Sequence, residues 1–254
     1  MDPSVNFAGR VQNRDHRESI AGMDSLIDPT PPVTVRDAIG GRRSIRAFAG
    51  TPVARATVEA ILALAARAPS GSNTQPWKVH AVAGAARDAL SAELVAAHHA
   101  GAPPDPEYSY YPVTWREPYL ARRRKVGWDL YASLGIAKGD KERMSNQHAR
   151  NYDFFGAPVG LFFTLDRDMT EGGWLDLGMF MQTVMIAARG FGLDTCPQAA
   201  FGNHHRIVRR HLGIPDDEIL VSGMALGHAV PAAPENRFDT EREPVATFTR
   251  FTGF

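Results

Sequence analysis

The stretch Trp174–Arg189 constrains the fold most: its only internal charge is Asp176, and Gly190 and Gly192 close it. A helix of that composition has too little polar surface to face water all round, so it should be buried on most sides. The rest of the chain must supply apolar partners for it. Pro158–Leu165 reads as a buried strand, Trp77–Val82 and Ile219–Leu226 as two more, and Val245–Phe251 as a candidate fourth. Thr34–Asp37 resembles a capping box opening a short helix that Gly40-Gly41 would end. Val58, Ile61, Leu62 and Ala65 give a helix over Thr57–Arg67 one apolar face, and Leu90 and Leu94 mark another helix. Pro118 opens a further helix with Tyr119, Leu120, Val126, Leu130, Tyr131 and Leu134 on its expected buried side, and Ile207–Leu212 forms a short one. Few strands among many helices indicate an α+β fold, arranged as a three-layer α/β/α sandwich. Residues 1–32, closed by Pro29, Pro31 and Pro32, read as a flexible extension ahead of a single domain over 33–254.

Charge and cysteine content remove several functional classes. The 28 basic residues balance the 28 acidic ones, which argues against a broad nucleic-acid or anionic-membrane footprint. Cys196 is the only cysteine, so no disulfide can form within the chain and a cysteine zinc site is not expected. The first thirty residues lack the apolar core of a signal peptide, and no stretch reaches the length of a membrane span. A cytoplasmic protein is expected. Walker A, G-x-G-x-x-G after a strand, H-E-x-x-H, C-x-x-C and G-x-S-x-G are all missing. The pairs His98-His99 and His204-His205 are adjacent in sequence and would diverge on a helix, so no metal is assigned to them.

Two segments carry chemistry. Arg42-Arg-Ser-Ile-Arg-Ala-Phe48 concentrates three guanidiniums and a hydroxyl, which suit bidentate recognition of phosphate. If extended, it directs Arg42, Ser44 and Arg46 to one side and Arg43 to the other. Taken alone, these residues fit a solvated basic turn better than a ligand site. Ala68-Pro-Ser-Gly-Ser-Asn-Thr-Gln-Pro-Trp77 combines small residues that allow close backbone approach with mixed donors and acceptors, anchored by Trp77. It too could be a packed structural loop.

Together the segments resemble the nitroreductase family of FMN-dependent oxidoreductases, whose pattern runs R-x-S-x-R/K, a helix, then P-S-x-x-N-x-Q-P-W. The resemblance continues in Cys196–Phe201, Val221–His228 and Pro234-Glu-Asn-Arg237, and spans roughly residues 33 to 250. Arg122–Trp128 and Asn151–Pro158 resemble the nitrobenzoate and nitroaromatic reductases within it. The resemblance implies a mostly antiparallel central sheet flanked by helices and an intertwined homodimer with FMN at the subunit interface. It also implies a ping-pong cycle in which NAD(P)H reduces the flavin and an electron-poor aromatic reoxidises it. By the same resemblance Arg42 and Arg237 match the positions gripping the FMN phosphate, Ser44 lies along the ribityl chain, and Arg46 sits beside the N1–C2=O edge. The backbone at Ala199-Ala200 matches the stretch that meets flavin N5. Pro69, Ser70, Gly71 and Asn73 match a loop that reaches the flavin of the partner, against which the tail over 240–254 also packs.

Departures from the pattern are specific. Glu235 stands where relatives often have lysine, so phosphate binding would lean on Arg42, Arg43 and Arg237. Ala199-Ala200 replaces a common Glu-Gly. Gln198, Asn151 and His148 are candidates to lie near flavin or substrate. Cys196, beside Pro197, reads as packing rather than nucleophile. The excursion over 101–150 is a candidate substrate lid, with Tyr110, Trp115 and Tyr119 as its candidate contacts; ordinary packing is the competing reading. Arg122–Lys125 reads as a solvated helix face, or as a partner for the phosphate of NADPH or an acidic substrate. No acid or base is assigned. The alternatives on this scaffold are flavin, quinone or enone reduction, dehalogenation, FMN fragmentation, or flavin binding without turnover.

Overall fold

The strand expected over Pro158–Leu165 pairs with two neighbours and organises everything around it. The computed structural model describes residues 33–254, and the expected extension over 1–32 lies outside the described residues. Strand β1 is Lys78–Ala83, β2 is Val159–Asp166, β3 is Asp194–Gln198 and β4 is Glu218–Gly227. They form one sheet in the order β1-β2-β4-β3 with every neighbour antiparallel. β2 is buried along all but its last residue, because helices cover both faces of the sheet. Alternate side chains separate two cores. Leu161, Phe163 and Leu165 join Ile61 and Ala65 of α2 (Arg55–Ala65) and Leu177, Phe180 and Val184 of α6 (Glu171–Gly190). Phe162 on the opposite face joins Leu90 and Leu94 of α3 (Gly84–His99) and Val208 of α7 (His205–Leu212). The result is the expected three-layer α/β/α arrangement.

The expected capping box opens α1 (Val35–Gly41): Thr34 Oγ1 accepts the Asp37 N–H at 3.1 Å. Trp77 stacks on Phe180 with ring centres 4.7 Å apart, hanging the small-residue loop from α6. No helix among the described residues is long and apolar enough to cross a membrane.

Several expectations change. The fourth strand is β3, not Val245–Phe251, which holds only the short helix α8 (Val245–Phe248). β3 carries Pro197, which has no N–H to donate and is tolerated because β3 is an edge strand; that composition concealed it. Helix α4 (Tyr119–Ser133) has no fully buried residue: on its expected buried side Leu120, Leu130, Tyr131 and Leu134 are half-buried, whereas Tyr119 and Val126 are exposed. A helix α5 (Lys141–Ala149) follows it, capped by Asp140. Helix α6 buries Leu177, Phe180, Val184 and Ala188 along one face, while Leu175 is 68% exposed on the other. Over Trp174–Arg189 only Leu175, Gly178 and Gln182 are exposed, so the helix is covered on most sides as expected and these three form its one open stripe.

Candidate functional site

The arginine segment leaves α1 in extended conformation and lies beside β3: Ser44 bridges Thr195, and the Ile45 N–H donates to the Thr195 carbonyl at 3.1 Å. Extension gives period-two alternation. Ile45 and Ala47 are buried in the protein, while Arg42, Ser44 and Arg46 are half-buried and line a cavity of about 670 Å³. Arg43 lies at the cavity rim, more exposed, paired with Asp239 at 2.8 Å.

The opposite wall comes from residues 235–242. Glu235 and Asn236 are both buried. Glu235 forms an ion pair with Arg150, so it is occupied within the protein. Asn236 Oδ1 accepts the Arg46 N–H at 2.8 Å, and its Nδ2 donates to the carbonyls of Ala47 at 2.8 Å and Val230 at 3.0 Å. With these two side chains turned inward on a tight 3-10 turn, Arg237 is turned out; it is exposed and does not line the cavity. Arg242 lines it instead. Asn236 and Arg242 were not singled out from the sequence. The Pro234–Arg237 motif marked the right turn, but only its geometry shows which side chain faces which way.

Among the described residues, Arg42, Arg46 and Arg242 have no carboxylate partner. Arg42 sits below the usual arginine value because it is partly buried and, next, because the Arg242 guanidinium is close. Uncompensated like charge around a cavity is what a bound anion relieves. The Arg46 guanidinium also lies 5.9 Å from the Phe238 ring centre, within cation–π range.

A second cavity of about 780 Å³ shares Ser44, Arg46 and Arg242 with the first, and Trp115 and Tyr119 line it. Tyr110, 61% exposed, does not. The first part of the excursion is fastened to the body: Glu107 pairs with Arg167 and accepts the Leu220 N–H at 3.1 Å, and Tyr108 stacks edge-on against Trp174. Its aromatic part beyond Tyr108 is the exposed part.

Gln198 ends β3 and Ala199 and Ala200 follow it, but none of the three lines either cavity. Gln198 is 2% exposed; its Nε2 donates to the Asn151 carbonyl at 2.7 Å, and its Oε1 has no partner among the described residues. Asn151 thus acts on Gln198 rather than facing either cavity. The loop holding Pro69, Ser70, Gly71 and Asn73 lies outside both linings. Ser72, Asn73 and Gln75 have positive φ (49°, 57° and 48°), a conformation that costs energy in non-glycine residues. Buried Asp176 accepts the Gly71 N–H at 3.1 Å and helps hold that shape. Cys196 is buried, and its burial pushes the thiol up to about 11, in keeping with a packing role.

Residues 39–228 match the model of the nitroreductase family. The chain belongs to the nitroreductase family. Within that family it is 39% identical over 216 residues to a 4-nitrobenzoate reductase of Pseudomonas putida, covering 85% of this chain and 94% of the relative. The structure superposes with a TM-score of 0.84 on the FMN and NADPH-dependent nitroreductase NfnB from sphigopyxis sp. strain HMH, at 42% identity over 87% of this chain and all of that one (100%). Mycobacterium smegmatis NfnB in complex with NADPH gives a TM-score of 0.81 at 34% identity, covering 85% and 96% of the two chains. The antiparallel four-stranded sheet with helices on both faces is therefore the nitroreductase fold.

Proposed function

We propose that this chain is an FMN-dependent oxidoreductase that takes hydride from NAD(P)H and reduces nitroaromatic compounds in a ping-pong cycle. The observation that carries the proposal is the cavity in which Arg42, Arg46 and Arg242 stand without carboxylate partners among the described residues. That donor set fits a ligand with a phosphate at one end and an electron-accepting heterocycle at the other. Arg42 and Arg242 would hold the phosphate through charge-assisted hydrogen bonds, with Ser44 along the ribityl chain. When bound, FMN supplies a carrier that accepts hydride from a reduced nicotinamide and gives it to an electron-poor aromatic.

The chain's own contribution is positioning and charge. Asn236 fixes the Arg46 backbone and the Arg46 Nη1 donates to the Ser44 carbonyl at 3.3 Å, so the guanidinium is placed before any reaction occurs. A fixed cation there favours the more negative, reduced state and the transition state leading to it. Trp115 and Tyr119 provide aromatic walls beside Arg46 for a flat ligand. Gln198, whose Oε1 has no partner among the described residues, and the backbone of Ala199 and Ala200 would complete the site on the β3 side.

The active unit in this proposal is a homodimer of a single domain over 33–254. Leu175 on α6, Val35 and Ile39 on α1, and Phe248, Phe251 and Phe254 in the tail are all exposed large apolar residues, an arrangement that supports burial against a second copy. In that dimer the loop with Pro69, Ser70, Gly71 and Asn73 serves the partner's flavin, and residues 240–254 pack on the partner. The purified protein is expected to be yellow, to bleach with NADPH or NADH under argon, and to regain colour on addition of a nitroaromatic. A colourless protein that binds no added FMN overturns the proposal.

A further inference from the structure

The second cavity has a charge pattern that the flavin does not account for. Five cations, Arg46, Arg122, Arg123, Lys125 and Arg242, and three carboxylates, Asp129, Glu241 and Glu243, line it. The carboxylates are committed. Arg122 pairs with Glu243 at 2.8 Å, and Lys125 pairs with Asp129 at 2.7 Å and Glu241 at 3.3 Å. Of the cations in the Arg122–Lys125 run that line this cavity, Arg123 has no carboxylate partner among the described residues.

Two aromatic rings hold Arg123 instead. Its guanidinium carbon lies 4.8 Å from the Trp115 ring centre and 5.7 Å from that of Tyr111. Contact with ring faces restrains the group while leaving N–H donors available for a ligand, and the positive charge is retained. Trp115 itself lines the cavity, so the restrained cation sits beside a wall suited to a flat ligand. Arg116 stacks on Tyr119 in a similar way at 4.9 Å, but it does not line the cavity.

We propose that Arg123 is a specificity-determining residue that receives an anionic substituent, carboxylate or phosphate, on the ligand occupying this cavity. The proposal deepens the flavoenzyme reading and rests on it for the identity of the ligands. Two sources share the required chemistry: a carboxylate on the aromatic acceptor, and the 2′-phosphate that distinguishes NADPH from NADH. A planar, always-charged fork suits either.

Calorimetric titration separates the sources without relying on turnover. The purified full-length protein, its arginine variant Arg123→Gln and the charge-conserving Arg123→Lys are titrated with benzoate against neutral benzamide, and with adenosine 2′-phosphate against adenosine. Loss of one charge-assisted contact at a partly solvated site is expected to weaken one anion about tenfold in Arg123→Gln, with its neutral counterpart changed by less than about twofold. Arg123→Lys is expected to recover part of the loss. A benzoate effect assigns the residue to the acceptor; an adenosine 2′-phosphate effect assigns it to NADPH. Equal effects on anion and neutral counterpart in both pairs, or no effect in either, overturn the proposal, provided melting temperature matches the parent protein. Yellow protein with no Arg123 dependence refutes this inference alone. Colourless protein with Arg123-dependent anion binding refutes the flavin reading and keeps the anion site.

Discussion

Replacing Arg242 and Arg237 one at a time by glutamine tests which late arginine serves the phosphate. Arg242 lines the 670 Å³ cavity beside Arg42, whereas Arg237 is outside it. A hydrogen bond to a charged group contributes roughly 1.5–3 kcal/mol when its partner is removed. Two features place Arg242→Gln toward the lower end. Arg242 is exposed on its outer side, so water screens it, and its removal relieves the like-charge contact that already lowers Arg42. A loss of about 1.5–2 kcal/mol corresponds to roughly 10- to 30-fold weaker FMN binding. Arg237→Gln is expected to change the dissociation constant by less than about twofold. The assay is titration of apoprotein into FMN, followed by quenching of flavin fluorescence at fixed ionic strength. If Arg237→Gln weakens binding more than Arg242→Gln, or if neither changes it, the assignment of the phosphate to this cavity wall is wrong.

Three further outcomes follow from the same structure. A Cβ at Gly223 would overlap the Phe201 ring, so Gly223→Ala is expected to cost about 1–3 kcal/mol in urea unfolding; combining it with Phe201→Ala should cost clearly less than the sum of the two, and simple additivity would rule out the overlap. His148 and His204 are held below the ordinary histidine value first by burial and then by His98, so charging them opposes folding. Their stability contribution is complete above the unfolded value of about 6.5 and is lost as pH falls below it, at up to about 1.4 kcal/mol per pH unit for each group. The urea midpoint should therefore fall between about pH 7 and about pH 5, and His148→Gln should flatten that slope; an unchanged slope would remove His148 from the account. Cys196, with its thiol pushed up to about 11, should resist alkylation in the folded protein and react on unfolding, and Cys196→Ala should retain NAD(P)H-driven bleaching. Rapid labelling of native protein, or loss of bleaching, would contradict a packing role.

The sequence by itself determined the layers of this protein. The apolar run over Pro158–Leu165 reads as a buried strand, and the nearly uncharged Trp174–Arg189 has to be covered on most sides. Alternation over Arg42–Arg46 likewise follows from an extended backbone, so Arg42, Ser44 and Arg46 sharing one side was legible in advance. Other features depend on long-range placement, which local pattern does not encode. Asp194–Gln198 becomes a strand because β4 offers it an edge, despite its proline. Arg237 turns out because Glu235 and Asn236 turn in to partners in Arg150 and the backbone of Ala47, residues far away in the chain. The charge-poor helix marked a surface needing cover, and its own chain covers it except along the stripe of Leu175, Gly178 and Gln182. Composition can state that apolar area must be buried; only tertiary structure decides which part the same chain buries, because that depends on where the sheet ends.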